Sequence, residues 1–126
     1  MLKKGFKQMV AEANAAVECL SPGDANALLG RDDVVFLDVR EPGEQHENGQ
    51  IQGSVLAPRG LLEFQADPDS PHHNKGIDGS KKLVIYCATG GRSALAAKTL
   101  ADMGFADVCH VAGGISAWKG AGQPVA

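Results

Sequence analysis

The 126-residue chain contains no Cys-x-x-Cys pair: its three thiols, Cys19, Cys87 and Cys109, are odd in number and widely spaced. That pattern supports neither a zinc knuckle nor a thioredoxin-type dithiol, so each thiol is judged alone. No Lys/Arg run exceeds two residues and the formal net charge is -3, which argues against a general nucleic-acid or anionic-membrane surface. Any anion the protein handles must therefore be held by local groups. No segment approaches the ~18 apolar residues of a membrane span. Met1-Leu2-Lys3-Lys4 opens like a signal peptide, yet Lys7, Gln8, Glu12 and Asn14 break up the stretch from Gly5 to Val17 and no apolar h-region forms. The expectation is a cytoplasmic protein with no nucleic-acid or membrane partner. Internal repeats and low-complexity tracts are absent as well.

What is present suits one soluble globular domain: 44% hydrophobic residues, 21% charged and 16 glycines. Phe6, Val10, Ala13, Val17 and Leu20 recur at three- and four-residue steps, which predicts a first helix ending before Ser21-Pro22. Ser21 is a good N-cap for a second short helix, with Pro22 at its first position and Gly30 as its stop. Four short apolar runs, 34–37, 54–57, 83–86 and 108–111, are rich in strand formers and apolar on both faces, as in a buried parallel sheet. Between the last two, Ala96, Leu100 and Met103 share a helical face over Ser93 to Met103, and Gly104 supplies the stop. Strand, helix, strand at this spacing is a βαβ unit, so the fold class is α/β, a parallel-stranded sheet flanked by helices. Residues 65–80, with Pro68, Pro71, Gly76 and Gly79, read as a long irregular loop and are expected to be mobile.

The informative stretch is Cys87-Ala88-Thr89-Gly90-Gly91-Arg92-Ser93, at the handover from the third apolar run to the helix. Open parallel sheets bind ligands beyond the carboxyl ends of their strands, where this loop lies. Gly90 and Gly91 allow successive N–H groups to turn toward one centre, an anion cradle continued by the free amides of the next helix. A sulfur nucleophile must be a thiolate, whereas an ordinary cysteine of pKa ~8.5 is mostly protonated at neutral pH. A helix end offers ~0.3–2 kcal/mol, and each N–H bond to a charged sulfur ~1.5–3 kcal/mol. Activation is therefore assigned to the loop backbone first and the helix dipole second. Arg92 has two open roles: touching the bound anion, or bracing the loop through carbonyls and a nearby carboxylate.

These residues resemble the rhodanese-homology family of sulfurtransferases over roughly residues 21–126. Leu37-Asp38-Val39-Arg40-Glu41-Pro42 is similar to the family's Asp-Val-Arg-Glu segment, and Gly49-Gln50-Ile51-Gln52-Gly53-Ser54 with Pro58 to its Gly-His-Ile-Pro-Gly-Ala stretch. Cys87 to Ser93 looks like its active-site loop, and Gly113-Gly114-Ile115-Ser116-Ala117-Trp118 with Gly122-Gln123-Pro124-Val125 its closing motif. The resemblance implies a rhodanese-like domain over 21–126 after an N-terminal helical extension over 1–20. It also implies ping-pong chemistry, with no cofactor, in which Cys87 takes sulfane sulfur from thiosulfate or a persulfide. The Cys87 persulfide then passes the sulfur to cyanide or a thiol. Protein-bound persulfides are further candidate partners. Position 88, often basic in thiosulfate-preferring members, is Ala88, which weakens the case for a doubly charged donor. Phosphatases and arsenate reductases of the cell-cycle dual-specificity type share this fold, but with five residues between cysteine and arginine; here four intervene. A non-catalytic binding or regulatory module on the same fold is the other alternative.

Among the remaining residues, Asp38 and Arg40 come after the first apolar run and, by the resemblance, brace the site. Arg59 comes after the second and is either a source of positive charge at the rim or plain surface. His46 sits in a polar run and is expected to be solvated; His72 and His73 lack two further ligands, so no metal is expected. His110 is read as a sheet-end residue rather than a base. Cys109 is expected to be packed and Cys19 partly exposed.

Overall fold

A computed structural model describes all of residues 1–126. Six α-helices, α1 (Phe6–Ala16), α2 (Pro22–Asn26), α3 (Pro42–Asn48), α4 (Leu62–Ala66), α5 (Gly91–Met103) and α6 (Gly114–Gly120), surround five strands. The strands are β1 (Glu18–Leu20), β2 (Val34–Asp38), β3 (Val55–Leu56), β4 (Lys82–Tyr86) and β5 (Val108–Val111). All pairings are parallel, in the order β1-β5-β4-β2-β3, so the α/β expectation holds.

The central strands are apolar on both faces because both faces are covered. Leu37, Leu83 and Ile85 point into one core with Cys87, Leu62, Ala96, Ala97 and Leu100. The alternate positions Phe36, Val84, Tyr86, Cys109 and Val111 point into a second core, closed by Ala25, Ile51, Ile115 and Trp118. Period-two alternation thus turns His110, between Cys109 and Val111, toward the side occupied by α5. Trp118 is fully buried, set edge-on to Phe36 at 6.0 Å, and donates to the Pro124 carbonyl at 2.7 Å.

Several boundaries differ from those expected of the sequence. The first helix ends at Ala16, and Glu18–Leu20 leaves it to become an edge strand beside β5. Leu20 therefore belongs to the sheet, and Phe6, in the first helical turn, is 71% exposed. Met103 is likewise exposed; the face that α5 buries carries Ser93, Ala94, Ala96, Ala97 and Leu100. Residues 42–48 form a helix that the polar composition concealed.

The loop over 65–80, expected to be mobile, is tied down. Asn74 donates to Gln65 Oε1 at 3.1 Å and accepts from the Gly76 amide at 2.9 Å. Its backbone N–H reaches the Gln65 carbonyl at 2.8 Å, and Ile77 is buried in the core.

Candidate active site

Cys87 is the first residue beyond β4, and Gly91 opens α5. Gly90, between them, has φ +107°, a conformation costly for any residue with a Cβ, and an added Cβ would also lie 3.3 Å from the Gly113 nitrogen. That turn folds the chain back so that Gly90 N–H reaches Cys87 Sγ at 3.1 Å and Ser93 N–H reaches it at 3.3 Å. The Ser93 hydroxyl oxygen lies 3.6 Å from the same sulfur, placed to accept the thiol hydrogen. Gly91 and Arg92, in the first turn of α5, have no backbone acceptor for their N–H groups, as at any helix start. Cys87 is 1% exposed. It is buried at the edge of the apolar core, and two amide hydrogens reach its sulfur there.

The outer side of the loop is held by the start of α6. Ile115 N–H donates to the Cys87 carbonyl at 2.9 Å and Ser116 N–H to the Ala88 carbonyl at 3.1 Å. A trans peptide points its N–H opposite to its C=O, so fixing these carbonyls turns the Ala88 and Thr89 amides away from α6. The approach is close: at Gly114, φ +62°, a Cβ would stand 2.4 Å from the Cys87 oxygen. Only glycine fits.

Asp38, the last residue of β2, and Arg40 form a buried ion pair. Arg40 donates Nε to Asp38 Oδ1 at 2.9 Å and an η nitrogen to Oδ2 at 2.7 Å, and also reaches the Gly49 carbonyl at 2.8 Å. Gln45 Nε2 donates to Asp38 Oδ2 at 3.0 Å, and the guanidinium lies 5.5 Å from the centre of the Tyr86 ring. Burial works against the Arg40 charge, but the Asp38 carboxylate outweighs it and the guanidinium is held above its ordinary pKa. Sheet register sets Asp38 beside Tyr86, the residue before Cys87, and no hydrogen bond of the pair's side chains reaches residues 87–93.

Arg92 spans to α3, where it makes a bidentate pair with Glu44 at 2.7 and 2.9 Å. The Arg92 hydrogen bonds hold the Glu44 carboxyl down at about 2, against the desolvation that opposes them. Of the contacts expected from sequence, the one to a nearby carboxylate is present. Glu44 also closes a capping box with Glu41, around a helix begun by Pro42.

A model of the rhodanese-like domain matches residues 21–121. The chain belongs to the rhodanese-like family. This rhodanese-like chain is 47% identical to a Rhodopseudomonas palustris protein described as of unknown function and a possible tyrosine phosphatase. The two superpose with a TM-score of 0.95 over 100% of this chain and 97% of that one. Against the polysulfide-sulfur transferase homodimer of Wolinella succinogenes the identity is 35% and the TM-score 0.77, covering 96% of this chain and 86% of the other. A sulfurtransferase of Allochromatium vinosum is 32% identical over 98 residues, 78% of this chain and 83% of its own length. The tRNA uridine(34) hydroxylase of Cytophaga hutchinsonii is 35% identical over 98 residues, 76% of this chain but only 30% of its own length.

Arg59 stands apart from the family loop. It pairs with Glu63 at 3.0 Å and with Thr99 Oγ1 at 3.1 Å, along the flank of α5, and none of its bonds reaches the Cys87 loop. His72 and His73 gather no metal-ligating cluster. No helix is long and apolar enough to cross a membrane. Cys109 is packed and its thiol pushed up to about 12 by burial, whereas Cys19 is exposed.

Two polar residues connect to the sulfur through Ser93: His110, read from sequence as a sheet-end residue, and beyond it Asn14. His110 is 2% exposed; its Nδ1 lies 3.0 Å from Ser93 Oγ and its Nε2 lies 2.6 Å from Asn14 Oδ1. Nothing local in the sequence marks either residue, because Asn14 meets His110 only after α1 docks across α5.

Proposed function

We propose that the protein is a sulfurtransferase that carries one sulfane sulfur on Cys87. The Cys87 thiolate attacks the outer sulfur of a donor; a new S–S bond forms, and the donor's bond to that sulfur breaks with the electron pair leaving on the donor. An acceptor thiolate or cyanide then attacks the same outer sulfur and releases the Cys87 thiolate. The observation that carries this reading is the pair of amides, Gly90 and Ser93, directed at Sγ. Such donors favour an anionic sulfur and cost no reorganisation when it forms. The unpartnered amides at Gly91 and Arg92 extend the cradle for a sulfur one bond farther out. The names of the Allochromatium and Wolinella relatives agree with this chemistry.

The donor is better sought among small persulfides, or a persulfide on another protein, than in thiosulfate. Ala88 brings no charge, Arg92 is neutralised by Glu44, and Arg59 by Glu63. A dianion therefore finds backbone dipoles and no free cation, whereas a persulfide monoanion needs little more. The cytoplasm, where thiol acceptors are reduced, is the expected compartment.

The reading is tested by incubating the protein with glutathione persulfide or thiosulfate and measuring its intact mass beside Cys87→Ser. The expected result is a gain of one sulfur atom on the parent alone, greater with the persulfide and discharged by cyanide or thiol. No adduct with any donor would leave a binding module. The description of the Rhodopseudomonas protein raises a second reading, phosphate-ester hydrolysis. Turnover of p-nitrophenyl phosphate that depends on Cys87, without sulfur uptake, would replace the first with the second.

A further inference from the structure

We propose that His110 and Asn14 are positioning residues for Cys87 that act through Ser93 and give the buried thiol a route by which to lose its proton. The purpose of this relay rests on the nucleophilic role of Cys87, but its geometry does not. Four groups stand in line: Cys87 Sγ, Ser93 Oγ at 3.6 Å, His110 Nδ1 at a further 3.0 Å, and Asn14 Oδ1 at 2.6 Å from Nε2. Cys87, Ser93 and His110 are buried, while Asn14 is exposed, so the line runs from the interior to the surface.

Hydrogen counting fixes its direction. Asn14 Oδ1 can only accept, so Nε2 carries the imidazole hydrogen. Nδ1 then offers a lone pair to the Ser93 hydroxyl hydrogen at 3.0 Å, in competition with the Gly90 carbonyl at 3.2 Å, and the hydrogen is assigned to the shorter contact. The oxygen of Ser93 is left with lone pairs toward the sulfur, where it accepts the thiol hydrogen. Ionisation moves two protons: S–H breaks as a new O–H forms on Ser93, and the old Ser93 O–H breaks as N–H forms on Nδ1. The products are a thiolate facing the Gly90 and Ser93 amides and an imidazolium whose Nε2–H still bonds Asn14. The extra proton stays on Nδ1 while the thiolate lasts.

Burial lowers the pKa of His110, which keeps the imidazole neutral and able to accept. Asn14 lies on α1, ahead of the matched residues 21–121. The leading helix thereby becomes part of the site.

The test uses full-length protein in a Cys19→Ser background, so that Cys87 is the reactive thiol. Nitrogen-15 spectra of the histidines, with His110 assigned from its loss in His110→Asn, are expected to show an unprotonated Nδ1 and a protonated Nε2 in the parent. In Asn14→Leu that tautomer preference is expected to fall. Iodoacetamide should alkylate Cys87 about tenfold more slowly in Ser93→Ala and His110→Asn, on the scale of a hydrogen bond to a charged group. A drop of about threefold is expected in Asn14→Leu. Asn14→Asp, which keeps an acceptor and adds a charge that favours the imidazolium, should react faster than the parent. A helix anchor alone predicts no such gain. A neutral imidazole with its hydrogen on Nδ1 in the parent, or equal alkylation rates in Asn14→Leu, Asn14→Asp and the parent, would overturn the relay. If a buried variant fails to fold, the parent spectrum and the two Asn14 variants still decide. None of these readouts needs a sulfur donor, so a relay without a sulfur adduct would sink the sulfurtransferase reading alone.

Discussion

Cys87 and Cys109 lie on neighbouring parallel strands or just past them, and each is buried to within 1% of its surface. Both belong to apolar clusters, but their polar partners are opposite. The sulfur of Cys87 receives two backbone N–H groups and faces a hydroxyl; that of Cys109 sits among apolar side chains, 3.8 Å from the Leu83 carbonyl. A carbonyl is a partner for a thiol and repels a thiolate, and burial pushes the Cys109 thiol up to about 12. Depth in the protein is common to both residues, so it does not separate the proposed nucleophile from a packed thiol. The sign of the dipoles around the sulfur does.

The largest way to break this contrast is to spoil the dipoles without touching the sulfur. Gly114→Ala would drive a methyl group into the Cys87 and Ala88 backbone at a left-handed φ, and a loss of about 3 kcal/mol or more is expected from strain and overlap together. Calorimetry should show a melting temperature lower by roughly 10 °C, and sulfur uptake should fall with it. Gly122→Ala serves as the control, since its φ is +77° but nothing stands within 4 Å of the added carbon. A loss of only about 1 kcal/mol is expected there. Equal melting shifts for the two would show that α6 does not clamp the loop.

Cys109→Ser comes next. It sets a hydroxyl among hydrocarbon with only a distant carbonyl to satisfy it, at a cost of about 1–3 kcal/mol in chemical denaturation. Persulfide formation on Cys87 is expected to stay at the parental rate. A matching loss of sulfur uptake would mean that the two thiols are not independent.

The smallest effect concerns Glu44, whose carboxyl is held at about 2 in the folded protein against 4.5 when free. A depressed acid stabilises the fold above its unfolded value and loses that contribution as pH falls through its folded value. Glu44→Gln should therefore be less stable than the parent above pH 4.5, and the two should converge toward pH 2. Arg92 is 40% exposed and solvent screens the pair, so the gap is expected to be about 0.2–1 kcal/mol. Freed from its carboxylate, Arg92 should also favour thiosulfate over a persulfide donor relative to the parent. An unchanged donor preference would show that Arg92 does not bear on donor charge.

The parts legible in sequence were those whose physics is local. A cysteine, two glycines and the start of a helix within seven residues already imply a turn with inward amides, and the two-faced apolar runs imply a buried parallel sheet. Glu41-Pro42-Gly43-Glu44 carried a readable helix start that the charged composition of 41–48 masked. The edge strand at Glu18–Leu20 was not legible, because three mostly exposed residues have no pattern of their own and are a strand only by pairing with β5. The same holds for Asn14 and His110, 96 positions apart. Met103 fitted the helical stripe, but the buried face of α5 ends at Leu100 and Met103 is exposed.

The clamp at Gly114 has a consequence for how the molecule is made. Residues 113–116 leave the ribosome after the sheet strands and the whole cysteine loop, yet their amides are what hold that loop's carbonyls in place. A nascent chain stalled before them would display the thiol with its amides unaimed, so the loop takes its shape only once residues 113–116 have emerged.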